Sequence, residues 1–401
     1  MSLHAMWYRI VQGALKLAAN FLSFEPPALL EGPGVIKRLP AFIKTKGFSK
    51  VLLVTDKGLM AAGLVDGLLS GLEAEGIAYV LYDGAQANPT IQNIEDALAA
   101  YLSGACQAVV AIGGGSPMDC AKGCALRVTN PGKSIPKMRG LLKVGKRPAP
   151  VFAVPTTAGT GSEATAAAVI SDPSTHEKFA ISDPKLIPPY AVLDPELTIG
   201  LPPQITSTTG MDALTHAVEA YLGNGNTANT IEKAEQAVSL IFASLETAWR
   251  DGSNIEARAA MLRASFYAGI AFTRAYVGYV HAIAHNLGGL YGVPHGLANA
   301  VTLPYVLDFY GDAVFGKLAR LADIAHVSTP GQVDEAKAKA FVAAVRGMNQ
   351  RMGIPAAIPQ LREIDIPLIV DRALGEAHPV YPVPVFMTRR DCENTVRRLL
   401  A

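Results

Sequence analysis

Three short, unbroken apolar runs dominate the first third of the chain: Val51-Leu52-Leu53-Val54-Thr55, Ala78-Tyr79-Val80-Leu81-Tyr82 and Ala108-Val109-Val110-Ala111-Ile112. Stretches of helical periodicity separate them, one predicted from about Ile91 to Leu102. A strand with no polar side cannot lie on a sheet that is wet on one face. Alternated with helices, such strands predict a parallel sheet covered on both sides. Val151-Phe152-Ala153-Val154 and Ala191-Val192-Leu193 read as later strands. The segment from Thr156 to Asp194 is richer in Gly, Ser, Thr and Pro, and predicts irregular structure with a hairpin.

The pattern changes near Leu201-Pro202-Pro203. From about Ile205 the periodicity is helical, as in Ile231 to Trp249, Ile255 to Ala271 and Val333 to Met352. A chain of 401 residues exceeds what one hydrophobic core usually serves. The expected division is an arm over 1–26, an α/β domain over 27–200 and a helical domain over 201–401. Within the arm, Lys16 and Asn20 interrupt the apolar stretch Gly13 to Leu22, which is too short to span a bilayer and reads as an amphipathic leading helix. Met6 offers a second start after Met1-Ser2-Leu3.

Half the residues are apolar and 17% are charged, a composition that fills a globular interior and excludes a disordered chain. A net charge of +1 leaves no basic footprint for nucleic acid. Cys106, Cys120, Cys124 and Cys392 form no C-x-x-C pair and read as buried, reduced thiols of a cytoplasmic protein.

The third strand runs directly into Gly113-Gly114-Gly115-Ser116-Pro117-Met118-Asp119. Glycines let a backbone approach a ligand closely, and the free N–H groups of a helix start favour a phosphate. Ser116 reads as the N-cap, Pro117 as a first-turn residue and Asp119 as the far half of a capping-box-like pair. The turn is not G-x-G-x-x-G, and an ordinary strand-to-helix connection is the competing reading. Pro155-Thr156-Thr157-Ala158-Gly159-Thr160-Gly161-Ser162-Glu163 is a second small, polar loop able to line a nucleotide. Asp56 follows the first strand. A carboxylate there can accept from a ribose 2′-hydroxyl and repel a 2′-phosphate, favouring NAD over NADP, or it can simply cap the next helix.

The helical half holds the strongest chemical signal. Asp212 and His216 are four apart, as are His281 and His285, and His295 follows. On a helix such pairs share a face. Buried imidazoles need partners, and one shared cation satisfies several. One carboxylate and up to three imidazoles suit a divalent first-row metal, and the donor set alone leaves Fe2+ and Zn2+ open. His4, His176, His326 and His378 are read as ordinary core histidines.

Taken in order, the glycine turn with Ser116-Pro117 and Asp119, the Pro155–Glu163 loop, Asp212-x-x-x-His216, and His281-x-x-x-His285 with His295 resemble the iron-containing (group III) alcohol dehydrogenases, from about Pro27 onward. The resemblance implies a Rossmann-like domain, a helical domain and a cleft between them. It implies metal ligation by Asp212, His216, His281 and His295, with Fe2+ first and Zn2+ the alternative. His285 would then stand beside the metal and relay the proton. It further implies that Gly114, Gly115 and Ser116 meet the cofactor pyrophosphate, that Asp119, Thr156, Thr157, Thr160 and Lys178 line the cofactor site, and that Asp56 meets the adenosine ribose. The expected reaction is hydride transfer between a small alcohol and NAD, in a homodimer or larger homo-oligomer with no nucleic-acid or membrane partner. Gly292 and Val293 depart from the family, many members of which carry a polar residue just before the Pro-His pair. A dehydroquinate-synthase-like lyase would need a basic pocket, and near the metal motifs Arg274 is the nearest cation. A glycerol-dehydrogenase-like enzyme and a non-catalytic protein of the same fold complete the alternatives.

Overall fold

A computed structural model describes residues 3–173 and 177–401; His176 lies outside them. The chain forms two compact units. One comprises Ser23–Gly200 with Ser253–Leu262; the other comprises Met1–Leu22, Leu201–Gly252 and Arg263–Ala401. Helix α1 (Leu3–Ala19) opens the chain and belongs to the second of these.

The α/β unit is built on six parallel strands: β1 (Ala28–Glu31), β2 (Lys50–Val54), β3 (Ala78–Tyr82), β4 (Ala108–Gly113), β6 (Val151–Pro155) and β9 (Tyr190–Leu193), in the order β1-β9-β6-β4-β2-β3. A smaller sheet holds β5 (Gly140–Leu141), β7 (Ala167–Asp172) and β8 (Glu177–Ser182), with β7 and β8 forming the expected antiparallel hairpin. Helices α2 (Leu39–Thr45), α3 (Lys57–Ala61), α4 (Asp66–Ala74), α5 (Ile91–Ser103) and α6 (Gly115–Thr129) fill the connections.

The unbroken apolar runs have the cause read from the sequence. Leu52, Val54, Val109, Ala111 and Ala153 face α5 and α6 through Ile94, Leu98, Met118 and Cys124. The alternate residues Val51, Leu53, Val110, Ile112 and Phe152 face α2 and α4 through Leu39, Ile43, Leu68 and Leu72. Both pleat faces of β2, β4 and β6 are dry, so neither can carry polar residues, whereas β3, at the sheet edge, is only partly covered, with Leu81 38% exposed. All four cysteines are buried free thiols. From β2 the chain steps to β3 on one side and then to β4 on the other. This places a topological switch point at the carboxyl ends of β2 and β4, where open α/β sheets bind ligands.

The helical unit contains α7 (Pro203–Leu222), α8 (Ala228–Arg250), the later part of α9 (Ile255–Ala275), α10 (Tyr279–Tyr291), α11 (His295–Tyr310), α12 (Phe315–Ile324), α13 (Asp334–Arg351), α14 (Ile366–Ala377) and α15 (Arg389–Arg397). No described helix is long and apolar enough to cross a membrane.

Two local expectations are corrected. Gly114, in extended conformation, is the N-cap of α6, and no side chain caps that helix. Ser116 and Pro117 therefore lie inside its first turn, and Asp119 makes no capping box. Its carboxylate instead accepts from Ser162 Oγ at 3.0 Å and from the Val169 backbone at 3.1 Å. Of the histidines read as core residues, His4 and His326 are exposed. His326 ends α12 in a left-handed turn, with φ 55°. His378 is half-buried, its Nε2 2.6 Å from the Tyr279 hydroxyl.

Candidate metal and cofactor sites

At the switch point, Gly113 ends β4 with φ +151°, and a Cβ there would meet Pro117 Cγ at 2.6 Å. Only glycine serves this position. A Cβ on Gly114 would lie 3.4 Å from Thr157 Oγ1, and one on Gly115 would lie 3.0 Å from Thr160 Cγ2. The second loop is thus laid directly over the first. The Thr156 N–H donating to the Gly113 carbonyl at 3.0 Å fixes their register.

Ser116 Oγ accepts from the Asn88 backbone at 3.2 Å, and Lys178 Nζ donates to Asn88 Oδ1 at 2.6 Å. Asn88 itself is left-handed, with φ 59°. It links Ser116 to Lys178, and no pattern around it in the sequence marks it out. At the end of β2, Asp56 is the N-cap of α3, its Oδ1 accepting from the Leu59 N–H at 3.0 Å. The capping role is real, whatever else Asp56 does.

In the helical unit, Asp212 and His216 project from α7, His281 from α10 and His295 from the first turn of α11. One ligand atom from each lies within 4.8 Å of the others. Asp212, His216 and His281 are buried, whereas the His295 side chain is 38% exposed, so the cluster opens on one side. Asp212 Oδ1 is 3.6 Å from His295 Nε2 and 3.9 Å from His281 Nε2. The His216 ring stacks between Phe272, at 4.1 Å, and His281, at 4.5 Å.

Asn299, one turn after His295, brings its Nδ2 within 2.6 Å of Asp212 Oδ1 and 3.2 Å of both His281 Nε2 and His295 Nε2. The lone pairs of three candidate ligands therefore converge on one point. A converging set of one carboxylate and three imidazoles fits a divalent cation. Burial, followed by the neighbouring imidazoles of His216, His295 and His285, holds the His281 pKa well below its ordinary value. It is consequently neutral and able to ligate.

Behind the cluster, His281 Nδ1 donates to Glu219 Oε2 at 2.6 Å, and the Val280 N–H donates to Glu219 Oε1 at 2.8 Å. Burial pushes the Glu219 carboxyl up to about 8, with backbone N–H groups of Gly278 and Val280 acting against the rise. His285 turns away from this set. Its Nδ1 donates to Glu376 Oε1 at 2.8 Å, which also accepts from the Tyr381 hydroxyl at 2.7 Å. Its ring stacks on His295 at 5.3 Å, keeping it beside the open side of the cluster. Glu219, Asn299 and Glu376 escaped the sequence reading. Glu219 and Asn299 do carry a signal, being buried polar residues one turn beyond a candidate ligand on the same helix.

The family model described as "Iron-containing alcohol dehydrogenase" matches residues 26–195, and "Fe-containing alcohol dehydrogenase family, C-terminal" matches 206–400. Alcohol dehydrogenase 4 of Schizosaccharomyces pombe is 41% identical over 366 residues, which cover 90% of this chain and 85% of that protein. A crystal structure of 1,3-propanediol oxidoreductase superimposes with a TM-score of 0.91 at 37% identity, covering 94% of this chain and 99% of that one. Sulfoacetaldehyde reductase from Bifidobacterium kashiwanohense, in complex with NAD+, gives 0.84 at 28% identity, covering 94% and 98%.

Proposed function

Since the chain belongs to the iron-containing alcohol dehydrogenase family, and is thus an oxidoreductase that moves hydride between alcohols and NAD with a divalent metal, we propose that Asp212, His216, His281 and His295 hold that metal. The observation that carries the assignment is the 4.8 Å convergence of their four ligand atoms. When bound, the metal supplies Lewis acidity toward the substrate oxygen and NAD supplies the hydride acceptor.

The chain's own residues do the rest. Glu219 Oε2 holds the His281 ring by Nδ1 so that Nε2 presents its lone pair. Asn299 steadies Asp212. His285, with Nδ1–H donated to Glu376, is held in the tautomer whose Nε2 is the basic nitrogen and would take the hydroxyl proton. In the α/β unit, Gly114, Gly115 and Ser116 receive the pyrophosphate at the start of α6. Asp119, Thr156, Thr157, Thr160 and Lys178 shape the loop wall around it, with Asp119 acting through Ser162 and Val169. Asp56 receives the adenosine ribose and sets the preference for NAD.

The reading extends to short alcohols and diols as substrates, supported by the likeness to 1,3-propanediol oxidoreductase. It extends also to a cytoplasmic location, supported by four buried free thiols, and to a homo-oligomer. Incubation of metal-replete protein with NAD and a panel of short alcohols, followed at the reduced-cofactor absorbance band, tests it. Cofactor reduction with at least one member is expected. No reduction with any alcohol, and no oxidation of NADH with the matching aldehydes, would contradict it.

A further inference from the structure

Helix α1 precedes the segment matched by the family models, which begins at residue 26. Its attachment is specific. Arg9 donates from Nη1 to the Val383 carbonyl at 2.8 Å and from Nη2 to the Pro384 carbonyl at 2.6 Å, with its guanidinium 4.2 Å over the Phe386 ring. Gln12 donates to the carbonyls of Pro379 and Tyr381 at 3.0 and 2.7 Å. Lys16 donates to the Asn224 carbonyl at 3.0 Å. These bonds fix the rotation of the helix about its axis and so decide which face it turns outward.

That outward face is apolar. Leu3 is 79% exposed, Trp7 59%, Ile10 58%, Leu17 63% and Phe21 84%. Trp7 and Phe21 alone expose roughly 300 Å2, taking about 150–250 Å2 per aromatic side chain. That is already the size of the largest apolar patch on an ordinary monomer.

Spacing and charge together identify what covers this face. Leu3, Ile10 and Leu17 recur every seven residues, as do Trp7, Ala14 and Phe21, so the steps alternate four and three. The seam continues into the turn past the helix, where the Phe21 N–H donates to the Ala18 carbonyl at 3.0 Å. A heptad seam fits another helix of the same repeat. An interfacial membrane helix carries Lys and Arg along the rim of its apolar face. Here Arg9 and Lys16 are turned onto backbone carbonyls instead. The only formal charges of the helix, Arg9 and Lys16, are thus engaged on the body of the unit and lie off the heptad positions, so like charges do not meet across a self-pairing along the seam. Gly13 and Ala14 keep the middle of the seam low, letting bulkier ends interlock.

We infer that α1 is a self-association element, pairing with α1 of a second copy of this chain about a two-fold axis. This names an interface for the homo-oligomer proposed above, outside the family-matched segment. Sedimentation velocity of full-length, metal- and NAD-loaded protein tests it, comparing wild type with Ile10→Glu/Leu17→Glu and with Ala14→Arg. The wild-type assembly is expected to have twice the mass of either variant, with turnover preserved in both. Equal masses for wild type and variants throughout the micromolar range would overturn the inference, leaving the homo-oligomer reading intact if that common mass exceeds one chain. Co-flotation of wild type with phosphatidylcholine–phosphatidylglycerol vesicles, lost in the variants while mass is unchanged, would also overturn it in favour of a lipid surface.

Discussion

His281 and Glu219 are joined by a 2.6 Å hydrogen bond between Nδ1 and Oε2, with both side chains buried. The bond selects the tautomer that leaves Nε2 available at the cluster. Carboxylate partners of this kind are worth about 10–100-fold in metal affinity. Glu219→Ala is therefore expected to weaken metal binding by about that factor, with Glu219→Gln in between. Titration against a competing chelator reads the change directly, and wild-type affinity in both variants would count against the role.

Gly296 sits where α11 crosses α7. A Cβ on it would come within 2.4 Å of the Thr208 carbonyl oxygen and 2.8 Å of its carbon, and neither backbone atom can swing aside. Gly296→Ala must push His295, its chain neighbour, away from Asp212. Expected are a loss of bound metal and a destabilisation of about 1–3 kcal/mol. Metal content and a denaturation curve on the same sample check both.

Asp56 tests cofactor choice. Asp56→Ser keeps an N-cap for α3, since serine caps about as well as aspartate, while removing the charge that repels a 2′-phosphate. The NADP-to-NAD ratio of kcat/KM is expected to rise by about tenfold or more, which corresponds to ~1.4 kcal/mol. An unchanged ratio would mean that Asp56 is a cap and nothing else.

Glu163 predicts a pH dependence of stability. It is 1% exposed, and burial raises its carboxyl from 4.5 to about 7. Between those values the folded chain holds a proton that the unfolded chain has released. Its contribution is thus complete below about pH 4.5 and is lost as pH rises through about 7. At full strength it reaches about 3 kcal/mol. Lys122, lowered from 10.5 to about 8 by burial, acts in the opposite sense above pH 8. Denaturation midpoints from pH 5 to 8 should fall less steeply for Glu163→Gln than for wild type.

Much of this architecture is legible in the residues. The central strands of the α/β unit are readable because both their pleat faces are dry, which removes every polar interruption from Val51–Val54 and Ala108–Ile112. The ligand pairs were readable because one helical turn sets their spacing. The start of α6 differs from the expectation because Gly114 takes an extended conformation with no capping side chain, under Thr157 and Thr160 that lie some forty residues on and that no local pattern announces. His281 and His285 look equivalent in sequence. They separate only because Glu219 on α7 claims one and Glu376 on α14 the other, each far away along the chain. His4 and His326 failed as core residues for a simpler reason: each sits at or near the end of a helix, where solvent reaches it.

The central claim is that four side chains share one cation on which turnover depends. Elemental analysis of gently purified wild type and His281→Ala, each assayed with NAD and alcohol after adding back Fe2+ or Zn2+, tests it most directly. About one divalent ion per chain is expected in wild type, with metal and turnover lost together in the variant. A His281→Ala protein that keeps its full metal content and its activity would contradict the account.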